Sequence, residues 1–231
     1  MRHIKQTENN KIAIVLAGNF SPNEKTVMQL ESCDYIIAVD GGLNHLHKLN
    51  ILPDLLIGDF DTVSNAALAW IEELDIPRKT FPISKDLTDG ELAYEEAKTL
   101  DPEEIIFYAC FSASRPDHVL NMLYLSQEIS RDGLKVSINN GNVYALTLEG
   151  PAQVEIDASE YFSDHELNEL YVSIVPNSPI ENLSYKGLQY SLDSANFEKY
   201  PEISLLSNRL KYGSSFELDF SCGNLTIFLL S

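Results

Sequence analysis

The sequence predicts an α/β protein: an N-terminal, doubly wound and mostly parallel α/β domain followed by a C-terminal β-sandwich. Two observations carry that expectation. Up to about residue 140, short apolar runs alternate with stretches whose apolar residues recur at three- and four-residue steps. That is the pattern of strands and crossover helices around a buried parallel sheet. After about residue 145 the helical period fades, and short β-favouring runs are separated by turn-forming residues. The domains are expected at 1–146 and 147–231, packed closely because no long linker divides them.

Residues 12–16, 35–39, 55–57, 105–109 and 134–138 read as the strands of the first domain. The first three end on Ala17-Gly18, Asp40-Gly41-Gly42 and Gly58-Asp59. Helical patterns lie between them. Residues 65–74 place Leu68, Ile71 and Leu74 on one face, and 91–100 do so with Leu92, Ala93, Ala97 and Leu100. Residues 116–129 carry Leu120, Leu123, Tyr124 and Gln127 at helical steps. In the second domain, strands are expected at 154–156, 170–175, 188–192, 216–220 and 225–230. The segments 176–179, 193–196 and 221–224 read as turns between them.

Composition bounds the function. The 231 residues are 44% apolar and 22% charged, as in a globular protein. Acidic residues number 35 against 16 basic, and the net charge of −19 is spread over both halves. A nucleic-acid or anionic-membrane surface would show a basic stripe instead, so neither partner is expected. Cys33, Cys110 and Cys222 form no C-x-x-C pair and read as free thiols suited to a reducing cytoplasm. The first ten residues lack the apolar core of a signal peptide, and no run approaches membrane-span length.

Four acidic motifs fall where an apolar run meets a helix-like stretch, the edge at which open α/β sheets bind ligands. Asp40-Gly41-Gly42 offers a carboxylate beside a backbone that a ligand can approach closely. In Gly58-Asp59-Phe60-Asp61, an extended chain would aim both carboxylates to one side and Phe60 toward the core. Such a pair repels itself unless a cation lies between. Lys85-Asp86-Leu87-Thr88-Asp89 opens a helix; Thr88 and Glu91 have capping-box spacing, and Lys85 suits a phosphate. In Arg115-Pro116-Asp117-His118, Arg115 can bridge phosphate oxygens, or simply pair with Asp117. The chemistry that unites these motifs is Mg²⁺-dependent handling of a polyphosphate.

In this order and spacing the motifs resemble those of the thiamine pyrophosphokinase family. The densest likeness runs over residues 40–46, 52–62, 85–93 and 115–118, with echoes at 187–192 and at Ser207-Asn208. The resemblance implies transfer of pyrophosphate from ATP to the thiamine hydroxyl, giving thiamine diphosphate and AMP. It also implies Mg²⁺ and a homodimer in which thiamine lies where one subunit's sandwich meets the other's catalytic domain. Asp40, Asp59, Asp61, Asp86 and Asp89 then fall on acidic positions around metal and triphosphate. Asp59, Asp61 and Asp89 are the metal positions. Lys85, Thr88 and Arg115 fall on polyphosphate-contacting positions, Asp117 on an acidic active-site position, and Ser207 and Asn208 near thiamine. Asp89 and Asp117 are both candidates for the base.

The chain departs from the family pattern at several places. Ser112-Ala113-Ser114 stands where glycines are usual, Met122 where an Asn is, and Arg209 where an acidic residue follows Ser-Asn. A pyrophosphokinase for a pterin alcohol, and a thiamine-binding protein without turnover, are the rival expectations.

Overall fold

The computed structural model describes residues 10–80, 87–198 and 203–231. The chain forms two compact units. One comprises the described residues within Met1–Ser21 and Val27–Leu125, the other those within Pro22–Thr26 and Ser126–Ser231.

In order, the first elements are β1 (Lys11–Val15), α1 (Glu24–Glu31), β2 (Tyr35–Val39), α2 (Gly42–Leu49) and β3 (Leu55–Ile57). They are followed by α3 (Asn65–Trp70), β4 (Arg78–Lys79), α4 (Asp89–Lys98), β5 (Glu104–Tyr108) and α5 (Pro116–Arg131). The strands of the first unit lie in the order β4-β3-β2-β1-β5, all parallel. Apolar residues from both strand faces are buried, and Val15, Ala38, Leu56 and Tyr108 share a core with Leu43 and Leu46 of α2. The chain leaves β1 toward β2 on one side and returns to β5 on the other. β1 and β5 thus flank a topological switch point, where the carboxyl ends of the strands open a crevice.

The helices α1 and α2 went unread in the sequence, as did a short one at Asp164–Leu167. The N-cap position of α2 is Gly41, and its first residue is Gly42, a poor helix former. The glycine is required by packing: a Cβ at Gly42 would lie 2.0 Å from the Val15 carbonyl oxygen of β1. α3 stops at Trp70 instead of reaching residue 74. Continuing it would put Glu72 and Glu73 against the negative helix end. On α5 the expected face is only partly right. Gln127 is buried, but Leu120 and Tyr124 are exposed, and Met122, Ser126, Ile129 and Ser130 are buried instead. The buried stripe contains two serines, which an apolar-period reading passes over.

The second unit holds β6 (Lys135–Asn139), β7 (Val143–Glu149), β8 (Ala152–Asp157), α6 (Asp164–Leu167), β9 (Tyr171–Pro176), β10 (Ile180–Lys186), β11 (Leu192–Phe197), β12 (Ser215–Phe220) and β13 (Asn224–Leu230). β6, β7, β13 and β9 pair antiparallel in that order. A second antiparallel sheet has the order β11-β10-β12-β8. Leu146, Leu225 and Ile227 of one sheet share a core with Leu183, Phe216 and Leu218 of the other, which makes the unit a β-sandwich.

The fifth expected strand is present as β6, but its partner β7 runs antiparallel to it. Residues 188–191 are not part of a strand, and Leu192 opens β11. Both backbone groups of Tyr190 are engaged by the Asn208 side chain, which accepts from its N–H (3.1 Å) and donates to its carbonyl (2.8 Å). Residues 193–196, expected as a turn, lie inside β11, an irregular outer strand with Ser194 at φ 48. Cys33 and Cys110 are buried free thiols, and Cys222 is exposed. Among the described residues no helix is long and apolar enough to cross a membrane.

Candidate functional site

A cavity of about 510 Å³ opens in the first unit at the carboxyl ends of its strands. Leu16–Gly18 follow β1, Val39–Asp40 end β2, and Ala109–Cys110 follow β5; all seven contribute to its wall. The start of α4 (Thr88, Asp89, Gly90) and the approach to and first turns of α5 (Ser112, Ser114, Arg115, His118, Asn121, Met122) complete it with Thr62. Of the sequence-predicted residues, Asp40, Thr88, Asp89 and Arg115 therefore line one space. Lys85 and Asp86 lie outside the described residues.

Asp40 is the electrostatic centre. It occupies the left-handed region at φ 43, and its Oδ1 accepts a 3.1 Å hydrogen bond from Phe60 N. Gly58, at φ 130, makes room for it. A Cβ there would fall 1.8 Å from Asp40 Oδ1. Burial pushes the Asp40 carboxyl above its ordinary range, the Phe60 N–H opposes that, and the charges of Asp89 and Asp59 raise it further. Asp40, Asp59 and Asp89 thus form one interacting anionic group. Its donors are hard carboxylate oxygens, the type that suits Mg²⁺, and a divalent cation would relieve their repulsion. The donor chemistry fits the ion. Among the described residues no three Asp, Glu, His or Cys side chains already converge as a set of metal ligands.

The Asp59–Asp61 segment departs from expectation. The chain does not stay extended, because Phe60 has φ 63 and Asp61 N donates to Asp59 Oδ1 at 3.2 Å. The two exposed carboxylates are set by a turn and not by strand alternation. Phe60 does pack against the core, as expected.

Thr88 caps α4 in a complete capping box. Its Oγ1 donates to Glu91 Oε2 (2.7 Å) and accepts from Glu91 N (3.3 Å). The box fixes Asp89 as the first residue of a helix, beside the positive end of its dipole. Arg115 pairs in bidentate fashion with Asp117, at 3.1 and 2.9 Å, and also contacts His118 Nε2. Arg115 and Asp117 are both exposed, and the guanidinium holds the Asp117 carboxyl down at about 2. Asp117 does not line the cavity.

Ser207 and Asn208 belong to the second unit. Ser207 sits at φ 59 with its N–H bonded to Ser173 Oγ at 3.0 Å. Asn208 is buried and pairs with Val172 through backbone bonds in both directions. Arg209 lies over the Tyr171 ring, 4.3 Å from its centre.

Sequence reasoning missed Asn44, Thr62 and Asn121. Asn44 of α2 donates to Thr62 O (3.1 Å) and accepts from Ser64 N (2.9 Å). The available signal was an amide in the first turn of a helix starting immediately after an Asp-Gly-Gly strand exit. His45 of the same helix is half-buried, which lowers its pKa, and its Nε2 lies 2.9 Å from Gly18 O.

Fold and site together define the class: an open, parallel α/β unit with an acid-lined cavity at its switch point, joined to a β-sandwich unit. Residues 27–138 match the family model described as thiamin pyrophosphokinase, catalytic domain. The chain is 26% identical over 161 residues to the thiamine pyrophosphokinase of Bacillus subtilis, covering 69% of this chain and 71% of that protein. The crystal structure of thiamine pyrophosphokinase from Bacillus subtilis superposes with a TM-score of 0.80 at 22% identity, over 96% of this chain and 99% of that one. The Candida albicans thiamin pyrophosphokinase does so with a TM-score of 0.76 at 16% identity, over 97% and 90%. Residues 27–138 are thus similar to the thiamin pyrophosphokinase catalytic domain, and the chain shares the fold of the thiamine pyrophosphokinase structures.

Proposed function

We propose that this protein transfers the pyrophosphoryl group of ATP to the hydroxyl of thiamine, giving thiamine diphosphate and AMP, and that it works as a homodimer. The observation that carries this reading is that Asp40 and Asp89 line the switch-point crevice, with the charge of Asp59 also acting on Asp40. A carboxylate raised by burial and by the charges of two neighbouring acids is a poor structural choice, and a cation-borne polyphosphate gives it a purpose. The family match supports thiamine as acceptor.

Asp59, Asp61 and Asp89 would hold Mg²⁺, which when bound supplies positive charge against phosphate oxygens. Arg115 would supply a second positive charge once its fork turns from Asp117 to phosphate. The acceptor oxygen forms its bond to the β-phosphorus as the bond from that phosphorus to the bridging oxygen breaks. The electron pair leaves with AMP. The acceptor's proton goes to a carboxylate. Asp117 suits that role poorly, because it lies outside the cavity and a carboxyl held at about 2 is a weak base; Asp89 lines the cavity and would take the proton on the carboxylate oxygen that does not face the cation. Positioning contributes more than basicity, as phosphoryl transfer needs little covalent help.

The test is AMP release from ATP and Mg²⁺ with thiamine, and in parallel with hydroxymethylpterin. Thiamine-dependent AMP with matching thiamine diphosphate is expected. AMP release with the pterin alone, or thiamine binding without AMP, would overturn the reading.

A further inference from the structure

The turn that carries Asp59 and Asp61 is fastened by a residue with no role so far in the site. We propose that Asn44 is a positioning residue for the reaction, holding the acidic turn in register through two hydrogen bonds. The inference rests on the pyrophosphokinase reading. Asn44 Nδ2 donates to Thr62 O at 3.1 Å, and Oδ1 accepts from Ser64 N at 2.9 Å. A carbonyl and an N–H partner define which way the amide faces. At the other end of the turn, Asp40 Oδ1 accepts from Phe60 N at 3.1 Å. Residues 60–64 are thus tied to the strand–helix connection at two points four residues apart, Asp40 and Asn44.

Between those anchors Phe60 and Val63 pack in the core, but few hydrogen bonds set the direction of the two carboxylates. Phe60 is in the left-handed region, unfavourable for an aromatic residue, and Asp59 and Asp61 are exposed. Their local support is the 3.2 Å bond from Asp61 N to Asp59 Oδ1 and the bond from Val63 N to Phe60 O. The turn also lies close against the start of α2. A Cβ at Gly41 would come within 3.2 Å of Thr62 Oγ1 and 3.5 Å of Asn44 Nδ2. Alanine at position 44 reaches neither partner. Aspartate keeps the acceptor for Ser64 N but turns a negative oxygen toward the Thr62 carbonyl. Among side chains of this length, only asparagine supplies both a donor and an acceptor. Asn44 touches no reacting atom in this scheme; it acts through the placement of Asp59 and Asp61.

The experiment uses the full chain as wild type, Asn44→Ala, Asn44→Asp, Asp59→Asn and the Asn44→Ala/Asp59→Asn double variant. Amide exchange is read without nucleotide or metal, so this arm is independent of turnover. In Asn44→Ala the Ser64 N–H is expected to exchange about tenfold faster or more, and in Asn44→Asp to keep its protection. Turnover of Asn44→Ala is expected to fall roughly 10–100-fold with the KM for thiamine unchanged, the signature of lost alignment. On the Asp59→Asn background the same change is expected to add less than about twofold, because both act through one carboxylate. Normal turnover in Asn44→Ala, or a loss that multiplies in full with Asp59→Asn, overturns the inference. Should Asn44→Ala not fold, Asn44→Asp decides: turnover below wild type supports the clamp, and wild-type turnover overturns it. A wild-type protein that releases no AMP brings down the pyrophosphokinase reading itself, and the exchange arm then judges the clamp alone.

Discussion

Asp40, which the proposed reaction uses, acts against stability. Its carboxyl is raised by burial first and by the Asp89 and Asp59 charges next. The folded state therefore prefers it protonated. The stability it contributes is complete below its ordinary value of 3.8 and is lost as pH rises through the raised value. Asp40→Asn keeps the oxygen that accepts from Phe60 N and removes the charge. The metal-free variant is expected to melt about 2–4 °C higher than wild type at pH 7, the shift that ~1 kcal/mol produces at this size. The gap should close toward pH 3, while AMP release is lost. Calorimetric melting across that range checks it, and a lower melting temperature at pH 7 would contradict the assignment. At this scale the sequence showed which motifs meet at one edge, because strand exits of a parallel sheet share it: Asp40 and Asp89 line one cavity, while Asp59, Asp61 and Asp117 are not part of its wall. Asp117 was legible as a partner of Arg115, whereas its place outside the cavity depends on the rotation of α5. The turn at Asp59–Asp61 was not legible, since nothing local announces a left-handed Phe60.

Among the elements, α4 is the best specified. Thr88 and Glu91 have the spacing of a capping box, and both reciprocal bonds form. Thr88→Ala is expected to cost about 1 kcal/mol by denaturant unfolding and to lower turnover as well, because the cap sets the position of Asp89. Unchanged stability would show that the box contributes nothing to the helix. α1 was equally legible and went unread: Asn23 Oδ1 accepts from Thr26 N at 2.8 Å, an N-cap signal three residues before its partner. α5 marks where periodicity fails. Its buried face mixes Met122 and Ile129 with Ser126 and Ser130, and its outward face shows Leu120 and Tyr124. The helical steps found Gln127 but missed the rest of the buried face, because neighbouring elements, not hydrophobicity alone, decide which residues a helix buries.

For the whole molecule, the change from helical to strand period near residue 145 announced two kinds of architecture, and both are present. The detail of the sandwich was less legible. Its outer strand β11 is polar and irregular, and the run at 188–192 is mostly spent on a loop fixed by Asn208. The proposed homodimer predicts a sedimentation-equilibrium mass of twice 25.9 kDa at micromolar protein, and a monomer mass would remove the second subunit from the scheme. The account depends most on the claim that the mutually repelling carboxylates receive a cation carrying a nucleotide tail. A crystal structure with Mg²⁺ and a non-hydrolysable ATP analogue tests this directly. The predicted result is triphosphate in the switch-point cavity, with Asp59 and Asp89 oxygens facing a cation bound to it. Triphosphate bound elsewhere, with those carboxylates turned to bulk water, would contradict the account.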